Sequence, residues 1–198
     1  MKKIILLIVL LLVVSFFWLA AAEGAKAAPA KIKPALLVID VQNAYLPRMD
    51  EKDKKMAMEM INYYIELFRA NGFPVIRVYH TDPQRGPKPE SEEFQFPKTV
   101  AVRDDDPQVT KNYGNAFKKT ELEKMLKARG CDTLFLCGLS AVGCVLATYH
   151  GAMDLDYDVF MLQNALISHD AALTKSVQEI CQTIDYYPLK LVLESVRQ

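Results

Sequence analysis

Several features that would define a class of protein are scarce in this sequence. Its 24 Lys and Arg residues balance 24 Asp and Glu residues, which argues against a nucleic-acid binder that neutralises phosphates. Eight glycines and ten prolines among 198 residues are too few for a collagen-like or low-complexity chain. The four cysteines are too sparse for a disulfide scaffold, and no two stand only two residues apart, as in a zinc module. What remains is one globular domain with 51% apolar residues, preceded by an N-terminal segment.

Residues 1–33 form that N-terminal segment. A short basic start precedes an apolar run from Ile4 to Ala22, interrupted only by Ser15, and a cluster of small residues follows. This order is typical of a secretory signal peptide. The run is also long enough for a single membrane anchor, so both alternatives stay open. The first predicts an exported domain, periplasmic or extracellular, and the second a membrane-anchored one; in both cases the domain is residues 34–198.

Apolar runs alternate with amphipathic segments through residues 34–198. Continuous apolar runs predict buried strands, and apolar residues at helical spacing predict helices. The predicted strands are 34–41, 73–79, 131–138, 158–162 and 189–193, and the predicted helices are 50–71, 120–128, 143–153 and 170–183. Residues 81–108 contain five prolines and predict a long loop, which in a compact domain is usually functional. The alternation predicts an α/β class, a three-layer α/β/α fold with a mostly parallel central sheet.

Reactive side chains follow two of the predicted strands, where ligands bind in open parallel sheets. Asp40 ends the first strand, and Cys144 opens the helix after the strand at 131–138. A helix N-terminus favours the thiolate of such a cysteine, and its N–H groups can hold an oxyanion. Taken alone, each residue has a plainer explanation: Cys144 as a small buried hydrophobe, Asp40 as a turn cap and Lys111 as a solvated loop residue.

Three segments together resemble the isochorismatase-like cysteine hydrolase family, which includes the nicotinamidases and related amidohydrolases. Residues 37–45 (Leu-Val-Ile-Asp-Val-Gln-Asn-Ala-Tyr) resemble its opening motif. Residues 111–117 (Lys-Asn-Tyr-Gly-Asn-Ala-Phe) resemble its lysine motif, and residues 137–148 its nucleophile turn. The three segments come in the family's order, and the resemblance covers essentially the whole domain.

The resemblance implies a catalytic triad of Asp40, Lys111 and Cys144. It implies cleavage of the C–N bond of a small non-peptide amide through a thioester on Cys144, with Asp40 moving the protons and Lys111 stabilising the charges. The backbone N–H groups of Ser140 and Cys144 match the oxyanion-hole positions, and a cis peptide is expected at Leu139–Ser140. Because family members commonly form oligomers, a homo-oligomer is also expected.

The sequence departs from the family pattern in two places that bear on function. Ala141 and Val142 stand where the family usually has Thr-Asp. The three histidines include no Asp-x-His set such as nicotinamidases use for a metal, so we expect chemistry without metal or cofactor and disfavour nicotinamidase activity. Substrate selection is expected to lie with Tyr45, His80, Tyr113, Phe117 and the loop at 81–108.

Other functions remain open at this point. Isochorismatase-type hydrolysis of an enol ether does not need the cysteine, so Cys144 favours amide cleavage over it. A catalytically silent, exported domain that binds a small molecule is a further alternative, since a reactive thiol is at risk in an oxidising compartment. A membrane-tethered scaffold would be favoured by apolar surface exposed on a helix outside the sheet.

Overall fold

The computed structural model describes residues 31–197. The predicted signal peptide or anchor lies almost entirely outside these residues. Between residues 31 and 197, no helix has both the length and the apolar character needed to cross a bilayer.

A six-stranded, wholly parallel sheet forms the centre of the described residues. Its strands are β1 (Pro34–Ile39), β2 (Val75–His80), β3 (Gln108–Lys111), β4 (Thr133–Leu139), β5 (Asp158–Ile167) and β6 (Thr183–Ile184). The helices are α1 (Glu51–Ala70), α2 (Leu122–Ala128), α3 (Leu146–Met153), α4 (Ala171–Ile180) and α5 (Tyr186–Val196), with a short 3-10 turn at Leu46–Arg48. The strand order is β3-β2-β1-β4-β5-β6. The predicted α/β class with a parallel sheet is confirmed.

Helices cover both faces of the sheet, which produces two apolar cores. Along β1, Leu36 and Val38 belong to the core under α1 and α5, whereas Leu37 and Ile39 belong to the core under α2, α3 and α4. Successive side chains of a strand point to opposite faces, so a strand buried on both sides needs an unbroken apolar run. The unbroken apolar run therefore predicts β1 as a strand buried on both faces.

The C-terminal segment corrects one prediction. Residues 189–193 were expected to form a strand, but they lie within helix α5. Leu189 and Leu193, four residues apart, are both buried, as expected for one face of a helix. Asp185 caps this helix, because its side chain accepts a hydrogen bond from the N–H of Tyr186 at 2.6 Å.

The order of the strands determines where the functional residues meet. β1 lies between β2 and β4, and β3 flanks β2, so the carboxyl ends of these four strands form one edge of the sheet. Gly138 on β4 is required there: its φ is 110°, and a Cβ atom would lie 2.1 Å from the carbonyl oxygen of Ile39. Only glycine therefore permits this close approach of β1 and β4.

Candidate active site

Asp40, the residue after β1, has an unusual backbone conformation. Its φ is 54°, in the left-handed region that Asp adopts more readily than most residues. Its N–H donates to the carbonyl oxygen of Val78 on β2 at 2.8 Å, which holds the residue in place. Such strain persists where the surrounding structure enforces it, often at functional sites.

Lys111 ends β3 and is the cation of the site. Its side chain is fully buried, and Nζ donates to Oδ2 of Asp40 at 2.7 Å. Nζ also lies 3.1 Å from Nδ1 of His80. The sequence alone favoured a solvated loop lysine, but in the alternating burial of β3 both Val109 and Lys111 face inward. A lysine this deeply buried requires a paired acid.

The imidazole of His80 is positioned through its backbone by Gln42. The buried side chain of Gln42 accepts from the N–H of His80 at 2.7 Å and donates to its carbonyl oxygen at 3.1 Å. Burial, helped by the nearby charge of Lys111, lowers the pKa of His80. A neutral imidazole whose Nδ1 accepts from Lys111 is consistent with this shift. Gln42 stands in the opening motif at 37–45, but sequence reasoning did not assign it this role.

Cys144 lies in the turn between β4 and α3. This turn covers Ala141–Val145 and contains Gly143 with φ −118° and ψ −107°, so the helix begins at Leu146 rather than at residue 143 as expected. The carbonyl oxygen of Ser140 accepts from the N–H of Gly143 at 2.9 Å and from that of Val145 at 3.2 Å.

Two further expectations for this turn need comment. The peptide bonds of the described residues are all trans, so the cis bond expected at Leu139–Ser140 is not found. The chain changes direction instead at Gly143. Ala141 and Val142 stand where the family usually has Thr-Asp; Ala141 belongs to the apolar core under α2, α3 and α4, and the half-buried Val142 packs against it. Apolar packing therefore supports this turn where polar side chains usually do.

The electrostatics of the site place a proton on the thiol. Burial and then the charge of Asp40 raise the pKa of Cys144 to about 11, although Lys111 opposes the rise. The thiolate that a helix N-terminus would favour is therefore not the resting form, because the sulfur is largely buried and a carboxylate lies beside it. Burial also raises the pKa of Asp40, again against the effect of Lys111. A carboxylate of raised pKa is a better proton acceptor than an exposed one.

One oxygen of Asp40 is available for proton transfer. Oδ1 is buried and has no hydrogen-bond partner among the described residues, whereas Oδ2 is engaged by Lys111. A carboxylate oxygen of Asp40, a ring nitrogen of His80 and the sulfur of Cys144 all lie within 4.8 Å of one another. This is the spacing of a cluster that could hold a metal ion, but Lys111 already bonds to two of its members. The cluster is therefore better suited to proton transfer than to a cation.

A cavity of about 180 Å³ opens next to these groups. It is lined by Asp40, Tyr45, Arg48, Met49, His80, Leu139, Ser140 and Cys144. The structure places Tyr45 and His80, both predicted pocket residues, at this cavity, and it adds Arg48 and Met49, which sequence reasoning missed. The signal available was their position, since both follow Asp40 closely in the connection from β1 to α1.

Two of the predicted pocket residues lie away from this cavity. Tyr113 and Phe117 are not among the residues that line the cavity. The ring of Phe117 stacks on Tyr157 with centroids 5.8 Å apart, in the apolar core under α2 and α3. The ammonium group of Lys118 lies 4.3 Å from the ring centroid of Tyr113. Both rings are therefore engaged elsewhere.

Comparisons with known proteins agree with this fold. The family model of the isochorismatase domain matches residues 34–182. The chain belongs to the isochorismatase family. It is 31% identical over 136 residues to the uncharacterized isochorismatase family protein YrdC of Bacillus subtilis, covering 67% of this chain and 73% of that protein. The resemblance drawn from residues 37–45, 111–117 and 137–148 is thereby confirmed.

Solved structures of the isochorismatase fold are similar throughout the domain. A cysteine hydrolase from Pseudomonas syringae pv. phaseolicola has a TM-score of 0.72 at 18% identity, with 83% of this chain and 93% of that chain covered. The N-carbamoylsarcosine amidase from Thermoplasma acidophilum has a TM-score of 0.68 at 24% identity, with 78% and 95% covered. A distant relative, the secreted isochorismatase effector Isc1 of Verticillium dahliae, is 23% identical over 138 residues, 68% of this chain and 73% of that protein.

Proposed function

We propose that this isochorismatase-family hydrolase cleaves the C–N bond of a small non-peptide amide through a thioester on Cys144. The observation that carries the proposal is that a thiol and a buried carboxylate line one cavity, and that a buried ammonium group is paired with this carboxylate. The cysteine hydrolase and the N-carbamoylsarcosine amidase of the same fold add support. The small cavity suits a small substrate rather than a peptide.

In the proposed first half-reaction, Oδ1 of Asp40 accepts the thiol proton as Sγ of Cys144 attacks the carbonyl carbon. The resulting oxyanion is held by the backbone N–H groups of Ser140 and Cys144. Asp40 then gives the proton to the leaving amine, the C–N bond breaks and a thioester remains.

In the second half-reaction, Asp40 removes a proton from water, which attacks the thioester. The acid product leaves, and the proton held by Asp40 returns to the sulfur. Lys111 stabilises the carboxylate and the developing thiolate by its charge throughout. The raised pKa of Cys144 fits this scheme, because the thiolate then forms only when Asp40 takes its proton.

We also propose that the domain is exported, or tethered to the membrane if the segment at 1–33 is retained. A second proposal is that it forms a homo-oligomer. Apolar side chains exposed on α1 and α5 support association: Tyr63 is 60% exposed, Tyr187 76% and Leu191 68%. Such surface also fits the scaffold alternative, but a scaffold would not require the buried pair of Asp40 and Lys111.

The proposed reaction is tested by measuring ammonia release from a panel of small amides. We expect Cys144→Ala to abolish turnover and Asp40→Asn to lower it about 10²- to 10⁴-fold, the usual contribution of a general base. Cys181→Ala is the matched control, because this half-buried cysteine follows α4, away from the cavity. It should retain wild-type activity.

Two outcomes would contradict the proposal. Full turnover by Cys144→Ala would show that no thioester on this residue is needed, as in enol-ether hydrolysis. Binding of small amides without hydrolysis by the wild-type protein would favour the silent binding domain.

A further inference from the structure

Arg48 is an unpaired cation at the edge of the catalytic cavity. It ends the 3-10 turn Leu46–Arg48, and it lines the cavity together with Asp40 and Cys144. Its exposed guanidinium group forms no ion pair with any residue in the described range. By contrast, the ammonium group of Lys111 is neutralised by Asp40. Arg48 therefore provides an uncompensated positive charge close to the reacting groups.

A second cavity of about 400 Å³ also borders Arg48. It shares Tyr45 and Arg48 with the catalytic cavity and is also lined by Arg85, Lys88 and Glu93. The lining thus contains three cations and one acid. Asp82, outside the lining, accepts hydrogen bonds from the backbone N–H groups of Gln84 and Arg85. Among the residues that line this cavity, positive side chains therefore outnumber negative ones.

Hydrogen bonds join the two segments of chain on which these cations stand. The N–H of Ala44 donates to the carbonyl oxygen of Glu93 at 2.9 Å, and the N–H of Asn43 donates to that of Gln95 at 2.9 Å. The side chain of Asn43 donates to the carbonyl oxygen of Glu92 at 2.9 Å. These bonds join the β1–α1 connection to the long loop between β2 and β3. The two sides of the mouth are therefore fixed relative to each other.

We propose that Arg48, assisted by Arg85 and Lys88, binds an anionic group of the substrate. The substrate class is then a small amide that carries a carboxylate, with the amide at Cys144 and the carboxylate toward the mouth. A guanidinium group suits a carboxylate because it offers paired N–H donors in a planar fork. The remaining wall beside Arg48 includes the apolar Met49 and Leu139, against which a short carbon chain can pack. This assignment rests on the proposed function.

The test uses two thiol reagents of similar size and opposite charge. 2-Sulfonatoethyl methanethiosulfonate is anionic, and 2-(trimethylammonio)ethyl methanethiosulfonate is cationic. With each reagent, the Cys144 thiolate forms a mixed disulfide and releases methanesulfinate. Rates at each cysteine are read by peptide mass spectrometry. Because both reagents meet the same thiolate, the ratio of their rates is independent of the pKa of Cys144, and Cys181 serves as an internal reference.

We expect the anionic-to-cationic rate ratio to be about tenfold higher at Cys144 than at Cys181, the size of effect that one charge produces in a cleft. Arg48→Gln should lower the ratio at Cys144 about fivefold, and Arg48→Lys should keep most of it. Raising the salt concentration should lower the wild-type ratio because ions screen the charge. Arg129→Gln, at an exposed arginine that follows α2, is the matched control and should leave the ratio unchanged.

A ratio in Arg48→Gln within about twofold of wild type would overturn the anionic subsite. The readout does not depend on turnover, so it separates this inference from the proposed function. If the protein hydrolyses amides but the rate ratio at Cys144 is the same in Arg48→Gln as in wild type, the proposed amidase reaction stands and the proposed substrate class is refuted. If Arg48→Gln lowers the rate ratio at Cys144 but the protein hydrolyses no amide, the anion site is supported and the amidase proposal is refuted.

Discussion

Replacing Lys111 by Met removes one charge from a buried ion pair and keeps a side chain of similar length. Nζ and Oδ2 of Asp40 are 2.7 Å apart, and their side chains are 0% and 4% exposed. At an effective dielectric constant of about 20, two charges at this distance attract each other by about 6 kcal/mol. The cost of desolvating both groups offsets much of this attraction. Removing one partner leaves a buried, unpaired carboxylate, which typically destabilises a protein by about 3–5 kcal/mol.

We therefore expect Lys111→Met to lower the free energy of unfolding by about 3–5 kcal/mol at pH 7.5, measured by urea denaturation. The loss should shrink at pH 5. Without Lys111, burial raises the pKa of Asp40 in the folded state above its value in the unfolded chain, so proton binding stabilises the fold. Stability is then regained as the pH falls through the folded pKa, by about 1 kcal/mol or more. His80 acts in the opposite direction, because burial lowers its pKa and its protonation at low pH favours the unfolded chain.

Two controls make this result interpretable. Lys127→Met removes an exposed lysine paired with Glu123 and should leave the urea midpoint unchanged. The double variant Asp40→Asn with Lys111→Met removes both charges and should be more stable than Lys111→Met alone at pH 7.5. Equal destabilisation at both pH values would refute the argument, because it would attribute the loss to packing rather than to an unpaired carboxylate.

Three further outcomes follow from individual positions. Gly138→Ala should destabilise the protein by at least about 3 kcal/mol, because the residue has a positive φ and its Cβ would collide with β1. Gly72→Ala should cost only about 1 kcal/mol, because φ is positive there but no atom lies within 4 Å of a Cβ. Thermal unfolding compares the two variants. Alkylation of Cys144 by iodoacetamide should keep accelerating above pH 9, as its pKa of about 11 requires, and a plateau below pH 8 would contradict this. In α5, Leu193→Ala should cost about 2–5 kcal/mol in urea denaturation and the exposed Leu191→Ala far less; similar losses would contradict the helix.

Much of the fold was predictable because the relevant signals are local. The run at 34–41 is apolar on both faces, which predicts a strand buried on both sides. The segment at 50–71 has apolar residues at helical spacing, which predicts a helix buried on one face. The segment at 189–193 was misread because a short apolar run is ambiguous between strand and helix. The cap at Asp185 and the spacing of Leu189 and Leu193 resolve that ambiguity in favour of the helix.

By itself, the sequence determined the family, the parallel α/β class and the candidates Asp40, Lys111 and Cys144, because motifs and periodicity depend on residue order. Only the tertiary structure decided which groups meet. Parallel strands far apart in sequence end at one edge, which pairs Asp40 with Lys111, brings in His80 and leaves Phe117 elsewhere. The tertiary structure also decided the protonated state of Cys144. A pKa depends on burial and on charges that neighbouring strands bring close, and neither is written in the order of the residues.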